Sequence, residues 1–212
     1  MSRTTITYSW RLREIMAARG LNNISDLIPL LTERGITLSS SQIYRLVGDR
    51  PSADVLEVGL GLGVFAAQLS AFGPRSYVAV EPHDEVAHLV TPTVRSVLTC
   101  PVTVLVQPWQ VVDLVPGSVD AIMYDTWPPE GHADADFAAF VEHVAVPALR
   151  PGGRFSFFHS GTALPAQRAA VLDRHFSRWT ATGYFLPPHQ VPAAWTKPTR
   201  DFLVPVAEKG FC

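Results

Sequence analysis

The hydrophobic period of the chain changes near residue 54. Before that point, apolar residues recur at helical spacing in three short blocks. "SWRLREIMAARG" places Trp10, Ile15 and Met16 near one helical face, with Leu12 at its flank and Gly20 as a stop. "NISDLIPLLTERG" predicts a second helix over Ser25–Arg34, capped by Ser25 and ended by Gly35. "TLSSSQIYRLVG" predicts a third over Ser39–Val47, with Ser39 or Ser40 as cap and Ile43, Leu46 and Val47 as its apolar positions. After residue 54, short apolar runs alternate with helical patterns. Val55–Val58, Tyr77–Val80, the β-rich run "VTVLVQPWQVV" ending near Trp109, Ala121–Tyr124 and "RFSFFHS" read as strands. "PAQRAAVLDRHFSRW" reads as a helix with Ala169, Val171, Leu172 and Phe176 inward, and "TATGYFLPP" and "RDFLVPVAEKG" as two closing strands. Pro205 inside the last strand demands a bulge or a missing ladder bond. Alternating strands and helices make this an α/β domain, expected over residues 54–212, preceded by a small helical segment over residues 1–50.

Composition adds bounds. The chain has 212 residues, 47% of them hydrophobic, enough for a real core. A net charge of −2 gives no general pull toward nucleic acid or anionic membrane. The charge is uneven: residues 1–50 hold seven Arg against four Asp/Glu, and the remainder ten Lys/Arg against fifteen Asp/Glu. That split supports two segments, joined by the short "DRPSA". Cys100 and Cys212 form no framework, which points to a reducing compartment, and no apolar run reaches the ~18 residues a spanning helix needs. A cytoplasmic protein without membrane attachment is expected.

The chemistry concentrates in "ADVLEVGLGLGVFAAQLS". A strand, glycines at 59, 61 and 63, and a helix follow in order, so the loop lies at a strand's carboxyl end, where open α/β sheets bind ligands. Glycine lets the backbone approach a ligand closely. The spacing is Glu57-x-Gly59-x-Gly61-x-Gly63, not the dinucleotide fingerprint GxGxxG. A carboxylate before the first glycine repels phosphate and suits a cation bearing an amino group and a sulfonium. The second strand ends in Glu81, which can accept both hydroxyls of a ribose. Together these residues resemble a class I S-adenosylmethionine-dependent methyltransferase. That resemblance implies a Rossmann-like, mostly parallel seven-stranded sheet with an antiparallel last strand.

The fourth strand ends in "YDTWP". In the class I fold this end borders the methyl donor, and a carboxylate there can orient a nucleophile or take its proton. With "LVQPWQ", "LRPGGRFSF", "VEPHDEV" and the closing "PPHQVPAAWTKPTRDFLVPVAEKG", it resembles the guanidinoacetate and arginine N-methyltransferase family. By that resemblance, Glu57, Gly59, Gly61 and Gly63 hold the methionine part of the donor, Glu81 the ribose and Trp109 the adenine. Asp125 then faces a guanidino substrate and is the expected catalytic residue, with Thr126, Trp127 and His159 beside the acceptor. A guanidinium is gripped bidentately by a carboxylate, which fits the chemistry. One departure stands out. The family carries a second substrate carboxylate before the glycine loop, and here Glu14, Glu33 and Asp49 sit in no matching motif.

Other readings of single features stay open. His159 ends the fifth strand and serves as a base or as a polar strand end. Tyr124 and Trp127 line an aromatic substrate wall or belong to the core. Trp195, in "HQVPAAWTKP", is a lid over the substrate mouth or a loop anchor. A magnesium site at Asp125 would need a second acidic or amide pair, where "FSFFHSG" stands instead. His132, Asp134 and Asp136 fit an acidic first helical turn better than a metal cluster. No metal is expected. The first fifty residues resemble the start of a lambda-repressor-type helix-turn-helix, with Ser41, Gln42 and Arg45 on the reading helix. The closing helices of that class are absent from the sequence that follows. The segment is therefore expected to act as a cap or lid, or to pair two subunits as a homodimer, with DNA binding the lesser reading. The function expected is methyl transfer to a small molecule, foremost a guanidino or other nitrogen nucleophile. The alternatives are a natural-product methyltransferase acting, for example, on indole carbon, and a DNA-binding regulator with a donor-sensing domain.

Overall fold

The computed structural model describes residues 19, 27–34, 53–126, 132–191 and 199–211. The chain divides into two compact units, Met1–Pro51 and Ser52–Cys212. In the first, the described residues hold one helix, α1 (Leu27–Thr32), inside the span predicted for the second helix. The turn after α1 is closed by Arg34, whose backbone N–H donates to Leu31 and whose guanidinium donates to the Leu30 carbonyl. The helices expected around Trp10 and over Ser39–Val47 lie outside the described residues.

The second unit runs β1 (Asp54–Val58), α2 (Val64–Leu69), β2 (Ser76–Val80), α3 (Asp84–Val97), β3 (Val102–Leu105), β4 (Val119–Tyr124), α4 (Ala133–Phe140), β5 (Leu149–Phe157), β6 (His159–Ser160), α5 (Ala166–His175), β7 (Arg178–Phe185) and β8 (Asp201–Glu208). The sheet order is β3-β2-β1-β4-β5-β8, with β6 and β7 both paired to β8. Strands β1 to β5 are parallel, and β8 runs against β5, β6 and β7. Strands β5 and β6 meet β8 in one continuous register and are a single strand interrupted at its end. The eight strands therefore make the seven-stranded mixed sheet that was expected.

Alternation along the strands builds two cores. Leu56, Val58, Ile122, Tyr124, Phe155 and Phe157 pack with Phe137 and Phe140 of α4 and Leu172 of α5. Val55, Tyr77 and Ala79 pack with Ala66 of α2 and with Val90 and Val94 of α3. Helices on both faces explain why these strands are nearly continuous apolar runs. Of the residues predicted inward on α5, Leu172 is buried and Ala169 and Val171 are half-buried, while Phe176 is buried just past its end.

Two prolines shape the edges. The run through "VTVLVQPWQVV" does not stay extended to Trp109. It leaves the sheet after Leu105, and Trp109–Val111 form one tight helical turn behind Pro108, which has no N–H for a ladder. At Pro205 the ladder between β5 and β8 lapses and resumes without a register shift, while β7 pairs across Pro205 without interruption. The proline thus takes the missing-bond solution and no bulge. No helix among the described residues is long and apolar enough to cross a membrane.

Candidate active site

The glycine loop leaves the carboxyl end of β1 between the ends of β2 and β4. Gly59 donates its N–H to Val80 at 2.9 Å, and Asp125 donates its N–H to Val58 at 2.9 Å, so the three strand ends are tied together. Each loop glycine has a positive φ, but each for a different purpose. At Gly59 (φ +93) a Cβ would lie 2.0 Å from the Asp125 carbonyl oxygen, so only glycine lets the loop pass beneath the β4 end. At Gly63 (φ +72) a Cβ would meet Val90 and Val94, so this glycine lets α2 begin directly against α3. At Gly61 (φ +50) a Cβ would meet nothing within 4 Å, and this tip is open to a ligand.

Two carboxylates are buried at this end of the sheet, Glu81 against the loop tip and Glu57 on β1 just before the loop. Glu57 is 3% exposed and Glu81 is 5% exposed. Among the described residues neither has a Lys or Arg ion-pair partner. Glu81 follows β2 and accepts N–H bonds from His83 at 3.0 Å and from Gly61 at 3.4 Å. It therefore ties the loop tip to the start of α3 and keeps further lone pairs for a ligand. Glu57 accepts the phenolic O–H of Tyr77. Desolvation, with the charges of Asp125 and Glu81 adding to it, pushes the Glu57 carboxyl up to about 7, against the pull of Tyr77. Burial and Glu57 in turn hold Tyr77 protonated, well above its ordinary range. Sequence reasoning missed Tyr77. The sole signal was register: Tyr77 pairs with Val55 and so shares a face with Glu57 two residues on.

Asp125 stands at the exposed end of β4 with half-buried Thr126 after it, and Trp127 lies outside the described residues, as does Trp195. His159 begins β6, and its Nε2 donates to the Ala163 carbonyl at 3.0 Å. Desolvation lowers its basicity, so the neutral ring keeps an unprotonated Nδ1. Trp109 is 8% exposed and meets Phe140 edge-on at 5.2 Å. Tyr124 is core: it stacks on Phe140 at 4.3 Å and donates to Asp136 at 2.5 Å. Asp136 also accepts from Gln110, and Asp134 pairs with Arg168 at 2.7 Å, both aspartates lying in the first turn of α4. Among the described residues no three His, Cys, Asp or Glu side chains are grouped to hold a metal ion.

The structure thus brings Glu57, Gly59, Gly61, Gly63, Glu81 and Asp125 to one end of the sheet. A pair of buried acids at the glycine loop offers acceptors and negative charge, which suit a cationic nucleoside and not a phosphate. The fold is shared with NodS, an N-methyltransferase from Bradyrhizobium japonicum WM9, at TM-score 0.60 and 13% identity over 86% of this chain and 98% of that one. It is shared with a SAM-dependent methyltransferase of Methanosarcina mazei at TM-score 0.56 and 10% identity, over 76% of this chain and 94% of that one. Phosphoethanolamine N-methyltransferase 1 of Haemonchus contortus, solved with phosphoethanolamine and S-adenosylhomocysteine, follows at TM-score 0.55 and 14% identity, over 76% and 40%. No protein of curated function matches the chain. The Guanidinoacetate N-methyltransferase family matches residues 42–164. That span starts inside the third predicted helix and ends before α5, leaving out the tail included in the sequence resemblance. It covers more than half of the chain and the whole of the site just described, so the chain belongs to the guanidinoacetate N-methyltransferase family and is an S-adenosylmethionine-dependent methyltransferase.

Proposed function

We propose that the protein methylates a nitrogen of a small molecule, with guanidino compounds the first class to test. The observation that carries this reading is the set of acids around the glycine tip. Glu57 and Glu81 are buried without a described cationic partner, and Asp125 stands where β4 meets Gly59. S-adenosylmethionine, when bound, supplies a methyl group already activated by its sulfonium. Glu57 and the three glycines receive its methionine part, Glu81 accepts its ribose hydroxyls, and Trp109 backs the adenine. The work left to the chain is to align a nucleophile in line with the methyl group and keep it unprotonated. Asp125 grips the acceptor's cationic nitrogen group and takes its proton. Thr126, Trp127 and His159 border the acceptor.

The first unit is proposed to cap the site, with pairing of two subunits through its helices as a further role. The family match begins at residue 42, within the segment that would read DNA, which supports catalysis over regulation. Two of the fold relatives are N-methyltransferases by name, which supports a nitrogen acceptor over an indole carbon.

The test is turnover of guanidino compounds, amines and indoles by the wild type and by Asp125→Asn. A guanidino compound or amine is expected to be methylated, with kcat falling ~100-fold or more in the variant while donor affinity stays within about threefold. Methylation of indole carbon alone would overturn the nitrogen reading.

A further inference from the structure

Tyr77 is fully buried, and its hydroxyl is spent on Glu57. A tyrosine at this strand position costs a polar atom in an apolar core, where phenylalanine would pack alone. The hydroxyl therefore needs a reason, and Glu57 supplies one. Buried acids normally pair with Arg or Lys. Here the described partner is a neutral donor, which stabilises the carboxylate without filling the place of a cation.

We propose that Tyr77 is a positioning residue for methyl-donor capture: it keeps Glu57 poised to ionise, so that binding of the cationic donor drives one proton from Glu57 into solvent. The inference rests on the donor-site reading above. The titratable groups acting on Glu57 are Tyr77 from β2, Glu81 at the end of β2 and Asp125 at the end of β4. Burial and the two acids favour the protonated carboxyl; among the described residues the Tyr77 hydrogen bond favours the carboxylate. The two sides balance at about 7. An arriving ammonium and sulfonium reverse the sign of the local field, and the carboxyl ionises. Without the phenol the balance moves toward the acid form, and capture needs a higher pH.

The experiment is calorimetric titration of S-adenosylmethionine into the full chain from about pH 6 to about pH 9, in buffers of differing ionisation heat. Wild type, Tyr77→Phe, Glu57→Gln and Glu81→Ala are compared. In the wild type, affinity should rise through neutrality, with close to one proton released at about pH 6 and almost none at about pH 9. A hydrogen bond to a charged group is worth about one pH unit or more, so Tyr77→Phe should bind about tenfold more weakly near neutrality and converge on the wild type at high pH. Glu57→Gln should bind weakly at every pH and release no proton. Equal weakening of Tyr77→Phe at all pH values is what lost packing gives, and would overturn the inference while leaving the donor site standing. So would proton release that persists in Glu57→Gln. Absence of wild-type binding, or binding indifferent to Glu81→Ala, would instead overturn the donor-site reading and the inference with it.

Discussion

The two ends of the sheet use the same kind of side chain for opposite ends. At the amino end, Asp54 of β1 and Asp120 of β4 are matched by Arg75 and Arg150. Arg75 donates to Asp54 and to Asp120 at 3.1 Å, and Arg150 donates to Asp54 at 2.9 Å and pairs with Asp120 at 2.7 Å. Ser76 adds a bond to Asp54 at 2.6 Å, and Asp120 accepts the Asp54 backbone N–H at 2.8 Å. Two arginines match two aspartates in charge, although Arg150 Nη1 reaches Asp120 as an ion pair without hydrogen-bond geometry. The Asp54 carboxyl is held well below the usual carboxylate range, first by its bond to Arg75. At the carboxyl end, Glu57 is pushed the other way by burial. Within the described residues, Asp54 and Asp120 meet two arginines, whereas Glu57 and Glu81 meet no Lys or Arg. The lesson is that acidity at a strand end is not the mark of a site. The proposed mark is buried acidity that meets no counter-charge among the described residues, next to backbone left open by a glycine.

Three perturbations test that contrast. The largest effect is expected from Glu81→Ala, which removes the acceptor of two backbone N–H groups and of the proposed ribose. Donor affinity should fall ~100-fold, about 3 kcal/mol, read by calorimetry. A value near wild type would mean the carboxyl end is as structural as the amino end.

Next comes Glu57→Gln in the ligand-free protein, followed by chemical denaturation against pH. The folded carboxyl lies at about 7, above its ordinary value of 4.5. A raised carboxyl means the folded state holds its proton longer than the unfolded state does. Wild-type stability is therefore lost as pH rises from about 4.5 through 7, by up to about 3 kcal/mol, and the glutamine variant escapes that loss. The variant should match the wild type in acid and exceed it above neutrality. Saturating S-adenosylmethionine should reverse the order, because the wild type alone then gains a counter-charge.

The smallest effect belongs to Asp54→Asn. Its depressed carboxyl contributes stability above its unfolded value of 3.8, lost as pH falls below that value. Because Arg75 is half exposed, solvent screens the cluster, and the variant should lose about 1–2 kcal/mol near neutrality. The gap should close progressively in acid. Donor affinity should not change, and a change would couple the two ends of the sheet.

Much of this contrast was legible in the chain, though unevenly. The glycine loop, Glu81 at the end of β2 and Asp125 at the end of β4 could be placed from strand patterns, because a strand's carboxyl end is where its apolar run stops. Asp134 and Asp136 were legible as a first helical turn. Trp109 was placed too far along a strand, since the ladder stops at Leu105 and Trp109 begins a tight helical turn. The Asp54–Arg150 cluster was invisible, because its members are 96 residues apart in the chain and meet only through the β1-β4-β5 order.

The sequence by itself determined the α/β class, the strand ends that carry the acids, and the acid before the glycine loop that favours a cation over a phosphate. These follow from local pattern and from the charge of the residues themselves. Tertiary structure alone decided which of the described acids meet a described arginine and which do not. That depends on register, which sets Tyr77 beside Glu57, and on strand order, which sets Arg150 beside Asp54. Register and strand order are long-range choices, and no window of the chain contains both partners.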